Sequence, residues 1–149
     1  MTEHAVIGQR VPKVDALAKA TGTARFATDV YLPHMLWAKV LRSPHPHARI
    51  LSINTEKAKR LPGVKAVLTA EDVPDARYGA LVLDMPIFAR DKVRYIGESV
   101  AAVAAVDEDT ALEAIDLIEV AYEPLTPVYD PLAAMQPEAP VIHENLSTY

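Results

Sequence analysis

Residues 99–117 read SVAAVAAV (99–106) followed directly by DEDTALEAIDL (107–117), and this segment sets the fold class. Its first part is almost continuously apolar, which predicts a central strand buried on both faces. Its second part predicts a helix, because three acidic residues at the start complement the helix dipole and Thr110-x-x-Glu113 is typical of a capping box. Apolar residues recur along this segment at helical spacing, which gives the helix one apolar face.

Shorter elements surround this strand and helix. The alternation of apolar residues and the positions of turn residues predict further strands at 24–30, 35–42, 49–53, 64–69, 93–96 and 118–122. A helix is expected after Asn54, ended by Leu61-Pro-Gly63, and a short helical turn at 15–19, ended by Gly22. Because helices and strands do not alternate strictly, we predict the α+β class, with a mixed sheet of roughly six strands and two main helices.

The chain length of 149 residues predicts a single domain, 1–149. Within it we expect an extended N-terminal arm at 1–23 and a tail rich in Pro and Ala at 127–149. No signal peptide is evident at the start, and the longest apolar run, 100–106, is too short for a bilayer. A cytoplasmic protein is the expectation.

Charge and cysteine content exclude several classes of function. The net charge is −5, and the Lys and Arg residues do not cluster into a basic stripe. Neither the composition nor the charge pattern therefore predicts nucleic-acid binding. There is no cysteine, which excludes disulfides, thiolate zinc sites and cysteine-ligated iron–sulfur clusters within this chain. The redox compartment stays undetermined.

Sequence patterns typical of catalytic or metal-binding sites are weak in this chain. His45 and His47 alternate along a proline-bounded segment and could ligate a metal, but hydrogen bonds or partner contacts are the favoured interpretation. The acidic clusters at 71–72 and 107–109 coincide with predicted helix starts, where capping accounts for them. Neither a serine elbow nor a phosphate-binding glycine loop is present. We therefore predict no catalytic, cofactor-binding or metal-binding residue.

Two loops are candidates for contact with a partner. Residues 42–49 place two Arg and two His on rigid, Pro-containing backbone, which suits polar docking or simple solvent exposure. Residues 94–98 place Gly97 and Glu98 between two apolar strands, where the glycine marks a bulge or a close backbone approach, or else an ordinary hairpin connector. Trp37, within a predicted strand, is expected to be a core or interface anchor.

Five blocks of the sequence, in this order and spacing, resemble the N-terminal part of molybdenum hydroxylase large subunits of the xanthine dehydrogenase and aldehyde oxidase kind. Together they cover almost the whole chain. They are QRVPKVDALAKATG (9–22) with ARFATD (24–29), LRSPHPHARIL (41–51), LPGVKAVLTAEDVP (61–74), DKVRYIGESVAAVA (91–104) and AYEPL (121–125). Within the family the resemblance leans toward 4-hydroxybenzoyl-CoA reductase-like catalytic subunits.

The resemblance implies an α/β-hammerhead fold and a supporting role in an oxidoreductase. In that family a molybdenum–pterin cofactor does the chemistry, with iron–sulfur clusters and often flavin (FAD) as electron carriers. The family's cofactor-binding and catalytic segments lie in domains after the hammerhead, so no such residue carries over to this chain. The implied partners are the molybdenum-cofactor-binding domains or subunit and an iron–sulfur subunit.

The predicted contact residues lie in the two loops. They are Arg42, His45, His47, Arg49, Arg94, Gly97 and Glu98. An isolated hammerhead is also expected to expose apolar surface and to self-associate. The competing hypothesis is a stand-alone protein-interaction module that reuses this fold.

Overall fold

The computed structural model describes residues 7–80 and 82–144. The chain divides into two compact units, and the boundary lies between Met35 and Leu36. In the first unit, helix α1 spans Ala16–Ala20 and a short 3-10 helix spans Ala27–Asp29. The prediction of a helical turn ended by Gly22 is confirmed, since Gly22 has a φ of 73°.

The strand predicted at 24–30 is wrong. Asp29 closes a turn there instead: its carboxylate accepts the Phe26 N–H at 2.9 Å, and its own N–H donates to the Phe26 carbonyl at 3.0 Å. A side chain that accepts a hydrogen bond from nearby backbone in this way occupies an N–H group that strand pairing would need.

The second unit contains the remaining elements. Its strands are β1 (Trp37–Arg42), β2 (Ala48–Asn54), β3 (Val64–Thr69), β4 (Arg77–Tyr78), β5 (Met85–Pro86), β6 (Lys92–Val93), β7 (Ser99–Ala105) and β8 (Glu119–Pro124). Its helices are α2 (Glu56–Arg60), α3 (Glu108–Asp116) and α4 (Pro131–Ala134), with a 3-10 helix at Ala70–Asp72.

The prediction of one mixed sheet is wrong in its arrangement, although the fold class is confirmed. The described strands form three antiparallel sheets, in the orders β1-β7-β3, β6-β2-β8 and β4-β5. Pro44 and Pro46 stand between β1 and β2 and have no N–H to donate, so the ladder of the first sheet cannot continue into β2. The chain therefore leaves one sheet and enters another at this point.

Strand β7 is central, as predicted. It pairs with β1 on one side and β3 on the other. Its successive side chains face opposite ways: Ala101 and Val103 join a cluster with Val67 and Ile118, while Val100 joins a second cluster. Both faces of β7 therefore contribute to the core.

Helix α3 follows β7 and is also confirmed, and so is capping by the acidic cluster at 107–109; the capping box at Thr110 and Glu113 is not the cap. The side chain of Asp107 accepts the Thr110 N–H at 2.7 Å, so the helix begins one residue after Asp107. The observed cap therefore lies three positions before the predicted capping box at Thr110 and Glu113.

None of the helices within residues 7–80 and 82–144 has the length and apolarity to cross a bilayer.

Candidate functional site

The two candidate loops lie against each other and are joined by three hydrogen bonds. Arg42 Nη1 donates to the Gly97 carbonyl at 2.9 Å. The Ser43 N–H donates to the Glu98 carbonyl at 2.9 Å, and the Gly97 N–H donates to the Ser43 carbonyl at 2.8 Å. Residues 42–49 and 94–98 thus form one surface, called here the paired-loop surface.

Gly97 is needed for this joining. Its φ of 91° lies in the left-handed region that side-chain-bearing residues rarely adopt. The register of β1 against β7 shifts between Leu41 and Arg42, directly beside it. A Cβ on Gly97 would meet no atom of the described residues within 4 Å, and the Glu98 N–H donates to the Tyr95 carbonyl at 3.3 Å, so the glycine serves the conformation of a turn and not a close backbone approach.

Glu98 and Arg94 lie inside the surface rather than on it. Glu98 is 3% exposed, and its Oε2 accepts the Arg94 N–H at 2.5 Å. Burial raises the pKa of Glu98, although the Arg94 N–H and guanidinium oppose this shift. The Arg94 side chain is 5% exposed, and Nη1 donates to the Lys92 carbonyl at 3.0 Å. These two side chains hold the loop in shape.

The two histidines contact the chain at and after β8, and they do so separately. Because a carbonyl only accepts, His47 Nδ1 donates to the Thr126 carbonyl, at 2.8 Å. The His45 ring lies edge-on to Tyr122, with 4.9 Å between the ring centroids. These contacts support the hydrogen-bonding interpretation for His47 and give His45 a packing contact within the chain.

The outward-facing part of the surface consists of residues of mixed character. Arg42 and Arg49 are exposed, and Arg49 lies 3.6 Å from the Glu123 carboxylate. Tyr95 and Ile96 are 47% and 64% exposed at the tip of the second loop. The sequence interpretation missed these two, although an apolar pair beside a turn glycine is a visible signal of an exposed tip.

Lys92 is a second residue that sequence reasoning missed. It is buried, pairs with Glu144, and donates to the Val141 carbonyl at 3.4 Å. It thereby holds residues 141–144 against β6. No local pattern distinguishes this lysine from the exposed ones, because its partners lie some fifty positions later in the chain.

The described residues do not form a metal centre. No group of three or more His, Asp or Glu side chains within 7–80 and 82–144 is placed to hold a metal ion. The Nε2 atom of His47 is buried without a hydrogen-bond partner in the part of the chain that the structure describes. One imidazole nitrogen alone does not make a site.

Comparison with known proteins identifies a family. Residues 21–126 match the family described as aldehyde oxidase and xanthine dehydrogenase, a/b hammerhead domain. The chain is 44% identical over 132 residues to a probable xanthine dehydrogenase component of Bacillus subtilis, covering 88% of this chain and 18% of that protein. It is 42% identical over 148 residues to the nicotinate dehydrogenase large molybdopterin subunit of Eubacterium barkeri, covering 99% and 35%.

A solved structure agrees with these matches. The Cu,Mo-CO dehydrogenase superposes with a TM-score of 0.88 at 41% identity, over 95% of this chain and 18% of that one. The chain therefore spans well under half the length of the relatives that it matches. None of these matches shows a special closeness to 4-hydroxybenzoyl-CoA reductase, which stays a prediction.

Proposed function

The chain belongs to the α/β hammerhead domain family of aldehyde oxidases and xanthine dehydrogenases, and from this we propose that it supports the cofactor-bearing part of a molybdopterin-dependent oxidoreductase. It corresponds to one part of the large subunits that it matches. The proposed role is scaffolding: the chain packs against the molybdenum-cofactor-binding domains or subunit and lies near an iron–sulfur subunit. The complete enzyme is proposed to use molybdopterin, iron–sulfur clusters and, in some forms, FAD, in the cytoplasm.

We propose that the molybdenum of the cofactor takes no ligand from this chain. Neither a metal-binding cluster within 7–80 and 82–144 nor any cysteine in the chain offers it ligands. We therefore assign the chemistry to the remainder of the enzyme and derive no catalytic step from this chain.

The paired-loop surface is the observation that carries the proposal. Its inner residues, Glu98, Arg94 and His47, are held by hydrogen bonds, so the backbone of both loops is fixed before any partner arrives. Its outer residues combine exposed arginines with exposed Tyr95 and Ile96. Tyr and Arg are enriched at protein interfaces, and a preorganised surface loses little conformational entropy on binding.

Isolation from the native host tests this proposal. An affinity tag is placed at the natural start of the gene, and the mass and molybdenum content of the purified material are measured. We expect molybdenum to accompany the tagged polypeptide, within one longer chain or within a complex. A solitary tagged protein without molybdenum would contradict the proposal and favour the stand-alone interaction module.

A further inference from the structure

A groove separates the end of β1 from β8. Its volume is about 280 Å³. It is lined by Leu41, Arg42, Pro44, Ile118, Val120 and Tyr122.

Both strands beside the groove are edge strands in the described chain. The first sheet has the order β1-β7-β3 and the second the order β6-β2-β8, so β1 and β8 each have one neighbour. The outer side of an edge strand presents backbone N–H and C=O groups that a further strand can pair with. The groove is therefore flanked by backbone suited to binding an extended peptide.

The side chains of the groove specify what that peptide must carry. Ile118 is 7% exposed, and Val120 and Tyr122 are partly buried, which gives the groove an apolar floor. Arg42 is the one charged side chain in the lining. Its Nη1 donates to the Gly97 carbonyl, which leaves the other guanidinium N–H groups facing no carboxylate within residues 7–80 and 82–144.

We propose that this groove binds an extended segment of the partner polypeptide, which pairs with the open edge of β8. The segment places an apolar side chain over Ile118 and Val120 and a carboxylate against Arg42. The inference deepens the proposed function, since the partner is the cofactor-bearing part of the enzyme. It assigns to Arg42 the role of selecting an acidic residue, because a guanidinium pairs with a carboxylate in a directional, charge-assisted geometry.

Peptide titration of the 149-residue chain tests the groove directly. The probes are acetylated, amidated Thr-Val-Thr-Glu-Thr and its Thr-Val-Thr-Lys-Thr counterpart, which place Val and the charged residue on one face of an extended peptide; each is added to ¹⁵N-labelled chain. We expect saturable amide shifts at residues 41–42 and 118–122. The Glu peptide should bind about tenfold more tightly than the Lys peptide, the difference that one charge-assisted pair provides.

Charge reversal gives the decisive comparison. Arg42→Glu should invert the preference between the two peptides, and Arg42→Gln should abolish it. Lys65→Glu, an exposed charge reversal on β3, is the matched control and should keep the original preference. Dispersed amide spectra show that each variant is folded. If Arg42→Glu does not fold, the loss or retention of the peptide preference in Arg42→Gln tests the role of Arg42.

The proposal is overturned if both peptides bind equally well, if the shifts lie elsewhere, or if Arg42→Gln keeps the preference. These outcomes are independent of the native-host isolation. A solitary chain that still selects the Glu peptide would refute the proposed function and retain the groove. Molybdenum in the native assembly, together with equal binding of the two peptides, would refute the groove and retain the proposed function.

Discussion

At the scale of single residues, Glu98 shows how the paired-loop surface is held. Glu98 is 3% exposed, and its Oε2 accepts the Arg94 N–H at 2.5 Å. Ionisation inside the fold is unfavourable, which raises the pKa of Glu98 above 4.5, its ordinary value. Glu98 therefore contributes stability below that value, which is lost as the pH rises through the folded-state pKa.

Two substitutions of Glu98 separate its charge from its hydrogen bond. Glu98→Gln keeps an acceptor and removes the charge, so its free energy of unfolding should rise relative to the wild type between pH 4 and pH 7. Glu98→Ala leaves the Arg94 N–H unpaired and should cost about 1–3 kcal/mol. Urea unfolding across this pH range measures both. A constant difference between Glu98→Gln and the wild type would contradict the assigned cause.

At the residue level the sequence marked special backbone where the signal is local, whereas the contact between the two loops was not predicted. Pro44, Pro46 and Gly97 mark rigid or special backbone, and the two loops that contain them do meet. The separation of inner from outer residues was not predictable. Glu98 and Arg49 look equally polar in sequence, and only long-range packing buries the first and exposes the second.

At the scale of elements, the start of α3 depends on Asp107. Its carboxylate accepts the Thr110 N–H at 2.7 Å, and this hydrogen bond lowers the pKa of Asp107 below 3.8, its ordinary value. A lowered folded-state pKa gives stability that is present above the unfolded value and is lost as the pH falls. Asp107→Ala should therefore lower the thermal midpoint at pH 7, and the difference should shrink at low pH.

Asp107→Asn is the matched control for this cap. Asparagine also accepts at an N-cap, so this variant should remain close to the wild type at pH 7. Thermal unfolding followed by circular dichroism compares the three proteins. Equal losses for Ala and Asn would show that the cap hydrogen bond is not the stabilising contact.

The packing of β7 gives a second prediction for an element. Val103 is 1% exposed in the core cluster, whereas Val106, just after the strand, is 46% exposed. Val103→Ala should cost about 2 kcal/mol through lost burial and a residual cavity. Val106→Ala should change the free energy of unfolding by under about 0.5 kcal/mol. Similar losses at the two positions would contradict the placement of β7 at the centre.

Elements were predictable where one local signal dominates. The continuous apolar run predicted β7, and apolar periodicity with an acidic start predicted α3. The pairing of strands was not predictable, because partners such as Trp37 and Ala105 are far apart in sequence. The sequence offered both the acidic cluster 107–109 and Thr110 as caps, and the choice of Asp107 depended on where β7 ends.

At the scale of the whole molecule, apolar exposure leads to a prediction about association. Ile96, Tyr129, Leu132 and Met135 are 64%, 77%, 70% and 79% exposed. Such surface favours association when no partner covers it. We expect the 149-residue chain to self-associate with rising concentration in sedimentation velocity. A clean monomer at high concentration would count against this expectation.

The most direct test of the supporting role compares Tyr95 and Ile96 in two states of the protein. Hydroxyl-radical footprinting is applied to the molybdenum-containing assembly from the host and to the 149-residue chain alone, at a concentration at which the chain is monomeric. Burial in an interface should reduce the labelling of both side chains in the assembly. Equal labelling of Tyr95 and Ile96 in the two states would contradict the assignment of the paired-loop surface as the contact.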